Sequence, residues 1–163
     1  TAFRKAKAMC AIASGAGVTG MIAGQVADLY AENIGTQDEE LLSYIHEGKT
    51  MAMFKGAVTA GTLLADAEEN SINALARFSE AFGILFQVTD DILDVTAEAD
   101  KFGKTKGKDA EEGKLTAVSV YTLDGAKKRS TALKEQALSA LDAFGAEADY
   151  FRNLTTDMFE RTH

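Results

Sequence analysis

Apolar positions recur every three or four residues along most of the chain, which is the period of a helix that buries one face. The segments with this pattern run from 2 to 31, 38 to 66, 71 to 97, 115 to 121, 124 to 143 and 146 to 161. No proline- or serine-rich linker, internal repeat or low-complexity tract separates them. The pattern therefore predicts one all-α domain, a helical bundle, over residues 1–163.

Composition agrees with the helical prediction. Proline is absent from the 163 residues, and alanine, the strongest helix former, supplies 28 of them. Asp38 is expected to cap the second helix, with Glu39 and Glu40 in its positively polarised first turn. Ser71 and Asp124 are predicted to cap the helices that follow them.

Charge and cysteine content limit the partners of the protein. The 25 Asp and Glu residues against 17 Lys and Arg residues give a formal charge of −8, which disfavours nucleic-acid binding. The single cysteine, Cys10, cannot form a disulfide within the chain and is expected to be a small buried apolar residue. A lone cysteine is typical of a reducing compartment, so a cytoplasmic location is predicted.

The stretch from Ala8 to Ala27 contains 20 residues without a charge, which is long enough to cross a bilayer. Its glycines and polar residues make insertion unfavourable, so we expect a helix or broken helix inside a soluble bundle. Gly20 and Gly24 lie one helical turn apart, where missing side chains let a neighbouring backbone approach closely. No membrane span is predicted.

A lysine-rich loop is predicted from 98 to 114. Three glycines and five lysines form a local cationic patch within an acidic chain. The lysines are Lys101, Lys104, Lys106, Lys108 and Lys114. Their mutual repulsion predicts a segment that becomes ordered when it binds an anion.

The helix before this loop carries the clearest candidate chemistry. Its polar stripe consists of Gln87, Asp90, Asp91 and Asp94, at spacings of three and four residues. Carboxylates this close repel one another, and acidic groups near a helix C-terminus oppose the macrodipole. A cation would neutralise them, and Mg²⁺ binds through one or two carboxylates together with substrate phosphates and waters. A solvated acidic face is the alternative.

A second polar stripe lies on the predicted helix from 38 to 66. It contains His46, Lys49, Thr50 and Met53. A lysine beside a glycine can reach a phosphate as a point charge, and the threonine can donate a hydrogen bond. An exposed lysine and a threonine whose hydrogen bonds are satisfied are the alternative, and His46 is interpreted as structural.

The two stripes and their surroundings resemble the trans-prenyltransferases, the polyprenyl diphosphate synthases that build farnesyl and geranylgeranyl diphosphate. The matching elements, in chain order, are Gly24-Gln25-x-x-Asp28, His46-x-x-Lys49-Thr50, Phe86-Gln87, Asp90-Asp91-x-x-Asp94, Gly103-Lys104, Gly107-Lys108-Asp109 and Gly113-Lys114-x-Thr116. The aspartate motif alone would be weak support. The ordered set is specific.

The resemblance implies an isoprenoid-synthase bundle, a homodimer, and condensation of isopentenyl diphosphate with an allylic diphosphate. In that reaction Mg²⁺ draws off the allylic diphosphate, the isopentenyl double bond attacks the resulting cation, and a proton is lost. Electrostatic stabilisation of the charge on the departing diphosphate would lower the barrier.

The resemblance also assigns roles to residues. It implies three metal ligands: Asp90, Asp91 and Asp94. It implies catalytic roles for Lys49, Thr50, Gln87 and Lys104. The same four residues would contact substrate, with Lys114 as a further diphosphate ligand that closes over the site. Asp109 would orient the loop.

The chain departs from the family pattern in one respect. A complete member carries a first aspartate-rich motif followed by arginines well upstream, and no such motif is present here. The chain therefore resembles the C-terminal half of such an enzyme, and the 163 residues alone are expected to be catalytically silent. Loss of the other half would leave the apolar faces of the helices from 2 to 31 and 71 to 97 exposed.

Farnesyl diphosphate synthase is the favoured activity, because the spacing from Gly103 to Thr116 is compact. A geranylgeranyl or longer-chain synthase, a non-catalytic helical partner subunit and a terpene cyclase are the alternatives. The retained diphosphate ligands disfavour a non-catalytic partner, and the lysine-rich loop suits elongation better than cyclisation. Product length is undecided, because the residues that set it in the family lie near the missing motif.

Overall fold

The computed structural model describes residues 1–102 and 114–162, with the backbone alone described for 97–102. Its elements, in chain order, are α1 (Ala2–Ala16), α2 (Met21–Ile34), α3 (Glu39–His46), a π-helical turn (Glu47–Met51), α4 (Ala52–Ala65), α5 (Glu69–Phe102), α6 (Ala117–Ala140), a 3₁₀ turn (Ala146–Ala148) and α7 (Asp149–Glu160). No strand occurs within the described ranges. The predicted all-α fold is confirmed.

The N-terminal segment consists of two helices. α1 ends and α2 begins around Gly17, which is extended and whose carbonyl accepts a hydrogen bond from the Gly20 amide at 3.0 Å. By length and composition, the stretch Ala2–Ile34 is apolar enough to cross a membrane. The break leaves helices of 15 and 14 residues. Each is about 22 Å long, shorter than the roughly 30 Å of a bilayer core. Of the two predicted forms, a helix or a broken helix, the broken helix is therefore confirmed.

The predicted helix from 38 to 66 contains a π-helical turn. Asp38 caps α3 as predicted, and its Oδ1 accepts hydrogen bonds from the Glu40 and Leu41 amides at 2.8 and 3.2 Å. The turn Glu47–Met51 then widens the helix before α4 begins. Because a π turn inserts a residue into the helical repeat, side chains on its two sides lose the regular spacing. Met53 accordingly lies exposed on α4, off the stripe predicted for it.

Helix α5 begins earlier and ends later than predicted. It starts at Glu69, so Ser71 lies in its first turn and is not its cap. Its backbone continues to Phe102 through good helix formers, past the predicted end at 97. The segment predicted as a loop from 98 therefore starts as helix. Residues 103–113 lie outside the described residues, and with them Lys104, Lys106, Lys108 and Asp109.

The two helices predicted from 115 to 121 and 124 to 143 form one element, α6, with a break inside it. The break is at Thr122, whose φ of 66° and ψ of 165° are strained for a β-branched residue. The Thr122 hydroxyl accepts a hydrogen bond from the Gly125 amide at 3.3 Å. Thr122 thus performs the capping role predicted for Asp124, whose side chain is exposed.

The core is organised around α5. Phe78 and Phe82 pack against α6 and α7, and Leu85, Val88 and Ile92 pack against both segments of α6. All five side chains are buried. The expectation that the apolar face of the helix from 71 to 97 is exposed is therefore wrong, because α6 and α7 cover it.

Helices α1 and α2 expose a broad apolar surface, as expected. Its large members, which define the α1–α2 apolar surface, are Phe3, Met9, Ile12, Val18, Met21, Ile22, Val26, Leu29, Tyr30 and Ile34. α1 buries Ala8 and Gly15, and Cys10 lies about 200° and 140° around the helix from them. Cys10 is therefore exposed, and the prediction of a buried cysteine is wrong.

Two glycines let the π-helical turn lie in backbone contact with both α2 and α5. A Cβ on Gly24 of α2 would overlap the backbone nitrogen of Lys49. A Cβ on Gly83 of α5 would lie 2.7 Å from the Cα of Met51. These distances are closer than carbon atoms pack, so the contacts require glycine. The close approach predicted at Gly24 is confirmed, and at Gly20 the neighbour is the carbonyl end of α1.

Gly24→Ala is expected to lower the free energy of unfolding by about 1–3 kcal/mol, the cost of overpacking a closed contact. Gly61→Ala on α4 is the matched control, because nothing lies within 4 Å of a Cβ at Gly61. There alanine should raise the free energy of unfolding by about 0.5–1 kcal/mol through its better helix propensity. Urea unfolding followed by circular dichroism measures both. A Gly24→Ala protein as stable as the Gly61→Ala protein would contradict the contact.

Candidate active site

A small polar cavity lies where α2, α3, the π-helical turn, α5 and the segment before α6 meet. Its volume is about 140 Å³. Its lining consists of Asp28, Ile45, His46, Lys49, Gln87, Asp90, Asp91, Asp94, Lys114, Leu115 and Thr116. The stripe predicted on α5 therefore faces the same cavity as two members of the stripe predicted upstream, His46 and Lys49.

The π-helical turn places Lys49 at the cavity wall. Its Nζ lies 2.6 Å from Oδ2 of Asp28 on α2. The Lys49 side chain is 35% exposed, so the ammonium is accessible to a ligand from solvent. A partly exposed pair of this kind orients the lysine more than it stabilises the fold. Asp28 belongs to the motif Gly24-Gln25-x-x-Asp28 but received no role from the sequence; it lies four residues after Gly24, on the face that contacts the turn.

A chain of hydrogen bonds connects the turn to α5. Thr50 Oγ1 donates to Gln87 Oε1 at 2.9 Å, and Gln87 Nε2 donates to Asp91 Oδ1 at 3.1 Å. The two bonds orient the Gln87 amide, with its oxygen toward Thr50 and its nitrogen toward Asp91. The Thr50 hydroxyl is therefore satisfied by a hydrogen bond to α5.

Asp91 is the buried member of the aspartate stripe, with 7% of the residue exposed. Its Oδ2 accepts a hydrogen bond from the Ala117 amide at 2.7 Å, and His46 Nε2 lies 3.3 Å from the same oxygen. With Gln87 on the other oxygen, three nitrogens surround the carboxylate. Ala117 is the first residue of α6, where amides lack an intrahelical acceptor and the helix end is positively polarised. A carboxylate is well placed there.

Asp90 and Asp94 are exposed members of the same stripe and line the cavity beside Asp91. Lys114 and Thr116 approach from the segment that leads into α6. The lining as a whole contains four aspartates and two lysines, so its formal charge is negative. This balance favours a cation, provided that a ligand can supply the remaining coordination.

Two contacts in the cavity had no assignment from sequence. His46, interpreted as structural, is 3% exposed and lies against Asp91. The Ala117 amide is a backbone group 26 residues from Asp91, and a backbone amide carries no sequence signature. Lys104 lies outside the described residues, so its place at the cavity stays a prediction.

Tyr121 connects the first segment of α6 to α3. Its hydroxyl donates to Glu39 Oε1 at 2.9 Å, and the Arg129 guanidinium lies 5.0 Å from its ring centroid. Burial raises the pKa of the Tyr121 hydroxyl above its ordinary value of 10.0, and the hydrogen bond to Glu39 raises it further. Tyr121 lies one helical turn after Ala117, so this contact helps to hold the amide that Asp91 accepts from.

The donor set fits a magnesium ion that is shared with a ligand. Within 1–102 and 114–162, no group of three His, Cys, Asp or Glu side chains converges to hold a metal by itself. Asp90 and Asp94 offer two exposed carboxylates, and Mg²⁺ commonly takes its other oxygens from waters and a phosphate. Lys49 and Lys114 offer positive charge for such a phosphate.

The family of this chain follows from comparison with known proteins. The family model for polyprenyl synthetase matches residues 4–151. The chain belongs to this family. The polyprenyl synthetase chain is 40% identical over 150 residues to the farnesyl diphosphate synthase of Bacillus subtilis, covering 92% of this chain and 50% of that one. It is 36% identical over 140 residues to the chloroplastic geranylgeranyl pyrophosphate synthase 9 of Arabidopsis thaliana, covering 85% and 39%.

The solved structures agree with the family match. The geranyltransferase of Helicobacter pylori complexed with magnesium and isoprenyl diphosphate has a TM-score of 0.76 at 27% identity, over 98% of this chain and 52% of that one. The isoprenoid-synthase fold and the family expected from the motifs are both confirmed. This polyprenyl synthetase chain spans about half the length of the relatives it matches, 50% in the Bacillus enzyme.

The stability of the chain should fall at alkaline pH as Tyr121 ionises. Because its pKa is higher in the folded than in the unfolded state, the neutral hydroxyl contributes fully below pH 10.0, and the contribution is lost as pH rises through the folded pKa. Tyr121→Phe should therefore show a shallower loss of unfolding free energy above pH 10.0.

Urea unfolding over a series of alkaline pH values measures this difference. Tyr150→Phe is the control, since Tyr150 is 70% exposed and should leave the slope as in the wild type. Equal slopes for wild type and Tyr121→Phe would contradict the role given to this hydroxyl.

Proposed function

We propose that the protein containing this chain condenses isopentenyl diphosphate with an allylic diphosphate and forms farnesyl diphosphate. The observation that carries the proposal is that the aspartates of α5 line the same cavity as Lys49 and Lys114. Carboxylates suit a magnesium ion, and lysines suit the diphosphate that accompanies it. The family match supports the reaction class, and the 40% identity to the Bacillus enzyme supports the product.

The aspartate stripe of Asp90, Asp91 and Asp94 forms the proposed magnesium site. When bound, Mg²⁺ supplies charge that neutralises the departing diphosphate. The exposed carboxylates of Asp90 and Asp94 are open to a metal that arrives with its phosphate ligand. The Helicobacter pylori structure, which contains magnesium with isoprenyl diphosphate, supports this assignment.

The lysines bind and orient the allylic diphosphate in this proposal. Lys49 is held toward the cavity by Asp28 and can exchange that carboxylate for a phosphate oxygen, because its side chain is 35% exposed. Lys114 lines the same cavity from the opposite chain segment. Lys104 is assigned with them on the resemblance alone. Their charges act where negative charge grows during ionisation, which is where stabilisation lowers the barrier.

Thr50 and Gln87 stabilise the allylic cation in the proposed mechanism. The two side-chain oxygens lie 2.9 Å apart and carry the lone pairs that can face a positive carbon. Phe54 lies four residues after Thr50 and Phe86 directly precedes Gln87, with ring centroids 5.6 Å apart. Aromatic faces attract cations and offer an apolar contact for a prenyl chain. The hydrogen bond from Gln87 to Asp91 fixes the amide so that it need not reorient during the reaction.

Geranylgeranyl diphosphate synthase is the second candidate. The 36% identity to the Arabidopsis geranylgeranyl enzyme supports it. Both activities use the same diphosphate and metal chemistry, so the cavity residues do not separate them. The length of the product separates them directly.

We also propose that the protein is a cytoplasmic homodimer without a membrane span. The α1–α2 apolar surface supports association, since many large apolar residues exposed on two neighbouring helices are typical of protein contacts. The helices of 15 and 14 residues that carry it are too short to cross a bilayer singly. The absence of a cysteine pair agrees with a reducing compartment.

A chimera provides the activity test. Residues 1–163 replace the matching segment of the Bacillus subtilis enzyme, and the product from isopentenyl and geranyl diphosphates with Mg²⁺ is identified by mass spectrometry. We expect farnesyl diphosphate from the chimera and no product from the 163 residues alone, because the family divides its metal ligands between two aspartate clusters.

The products decide between the candidate functions. A geranylgeranyl product would favour the second candidate, and a cyclised hydrocarbon would favour a terpene cyclase. A folded chimera that forms no prenyl product would contradict the proposal and favour a non-catalytic partner. Product from the isolated chain at rates near those of intact synthases would show that the second cluster is dispensable.

Removal of single charges tests the residue assignments in the same chimera. Asp90→Ala should lower kcat about 100-fold, the scale of losing a major charge-stabilising group. Lys49→Ala should cost about 1.5–3 kcal/mol in kcat/KM for the allylic substrate, the range for a charge-assisted contact. Asp142→Ala and Lys128→Ala are controls with exposed charges away from the cavity. Turnover of Asp90→Ala within about fivefold of the unsubstituted chimera would reject a major stabilising role for that carboxylate.

A further inference from the structure

We propose that Asp91 is a positioning residue and not a cation ligand, so that the aspartate stripe divides into two exposed ligands and one buried support. The inference rests on the proposed function, because it assigns separate roles within that metal site. Spacing along the helix does not distinguish the three aspartates. Their burial does, because Asp90 and Asp94 are exposed and Asp91 is buried.

Both oxygens of Asp91 already have nitrogen neighbours. Oδ1 accepts from Gln87 at 3.1 Å, and Oδ2 accepts from the Ala117 amide at 2.7 Å, with His46 Nε2 at 3.3 Å. These nitrogens use three of the about four acceptor sites of a carboxylate, so a cation would have to enter a buried and largely occupied site. Asp90 and Asp94 are exposed, so a hydrated cation can approach them from solvent without entering a buried site.

The contacts of Asp91 connect the parts that form the cavity. Through Gln87 it fixes an amide that Thr50 of the π-helical turn also holds. Through the Ala117 amide it fixes the start of α6, directly after the segment that carries Lys114 into the lining. Asp91 therefore helps to set the position of Lys114 relative to α5, which is a supporting role.

Asparagine at position 91 separates the two roles. Its carbonyl oxygen can accept from Ala117 as Oδ2 does, which turns its NH₂ group toward Gln87. The Gln87 amide can then reverse, accept from the asparagine and donate to Thr50, whose hydroxyl is able to accept. The positioning contacts thus survive Asp91→Asn, whereas the negative charge that a magnesium ligand needs is lost.

The test measures binding of Mg²⁺ with inorganic pyrophosphate to the 163-residue chain by isothermal titration calorimetry. Asp91→Asn should weaken binding by no more than about threefold, because its hydrogen bonds are retained. Asp91→Ala should weaken it about 10- to 100-fold, the usual effect of removing a group that orients metal ligands. Asp90→Asn should lose at least about tenfold, because a charged ligand is removed. Asp142→Asn is the control for an exposed acid outside the cavity.

Amide hydrogen exchange of Ala117 provides a readout that does not depend on ligand. Exchange should accelerate at least about tenfold in Asp91→Ala, which removes the acceptor, and stay near wild type in Asp91→Asn and Asp90→Asn. The proposal would be overturned if Asp91→Asn and Asp90→Asn lost binding equally and Ala117 exchange in Asp91→Ala stayed at the wild-type rate. Asp91 would then be a ligand.

The two readouts also separate this inference from the proposed function. If the wild-type chain binds no Mg²⁺ with pyrophosphate, the proposed metal and diphosphate site fails. Asp91 is then judged on exchange alone: faster exchange at Ala117 in Asp91→Ala supports the positioning role, and unchanged exchange overturns it.

Discussion

The backbone contact of the π-helical turn with α2 and α5 is the constraint on which the rest of the site depends. Side chains normally keep helix axes 8–10 Å apart. Here a Cβ on Gly48 would lie 2.9 Å from the Cα of Gly24, and a Cβ on Gly83 would lie 2.7 Å from the Cα of Met51. The glycines remove the side chains that would separate the elements. Polar groups on three elements can then meet across a cavity of about 140 Å³.

The same contact explains why two neighbouring residues serve different partners. Lys49 and Thr50 are adjacent in the π-helical turn, so their side chains leave it in different directions. With a helix packed closely on each side of the turn, one side chain meets Asp28 on α2 and the other meets Gln87 on α5. The Lys49 ammonium, proposed to bind phosphate, and the Thr50 hydroxyl, proposed to face a cation, are therefore adjacent, but each is oriented by a different helix.

A buried carboxylate is the second energetic requirement of the site. Burial of Asp91 is unfavourable unless donors replace its hydration, and here the replacement comes from three separate elements. The start of α6 is suited to this because its amides lack acceptors and its dipole favours negative charge. The strained Thr122 and the Tyr121 contact to Glu39 accompany this placement, since both lie within two turns of Ala117. Strain at such a position is consistent with a segment whose location matters for function.

The sequence by itself determined the properties that depend on neighbours along the chain. Helical periodicity was enough to place Gln87, Asp90, Asp91 and Asp94 on one face, and the ordered motifs were enough to identify the family. Local chemistry also predicted the Asp38 cap correctly. It failed at Ser71 and Asp124, because the helix start at Glu69 and the break at Thr122 each lie two residues earlier.

Only the tertiary structure decided which aspartate is buried, that Asp28 and His46 join the cavity, that the Ala117 amide bonds to Asp91, and that Cys10 is exposed. These properties depend on which helix packs against which face, through contacts between residues distant in sequence. Periodicity along one helix contains no information about its neighbours.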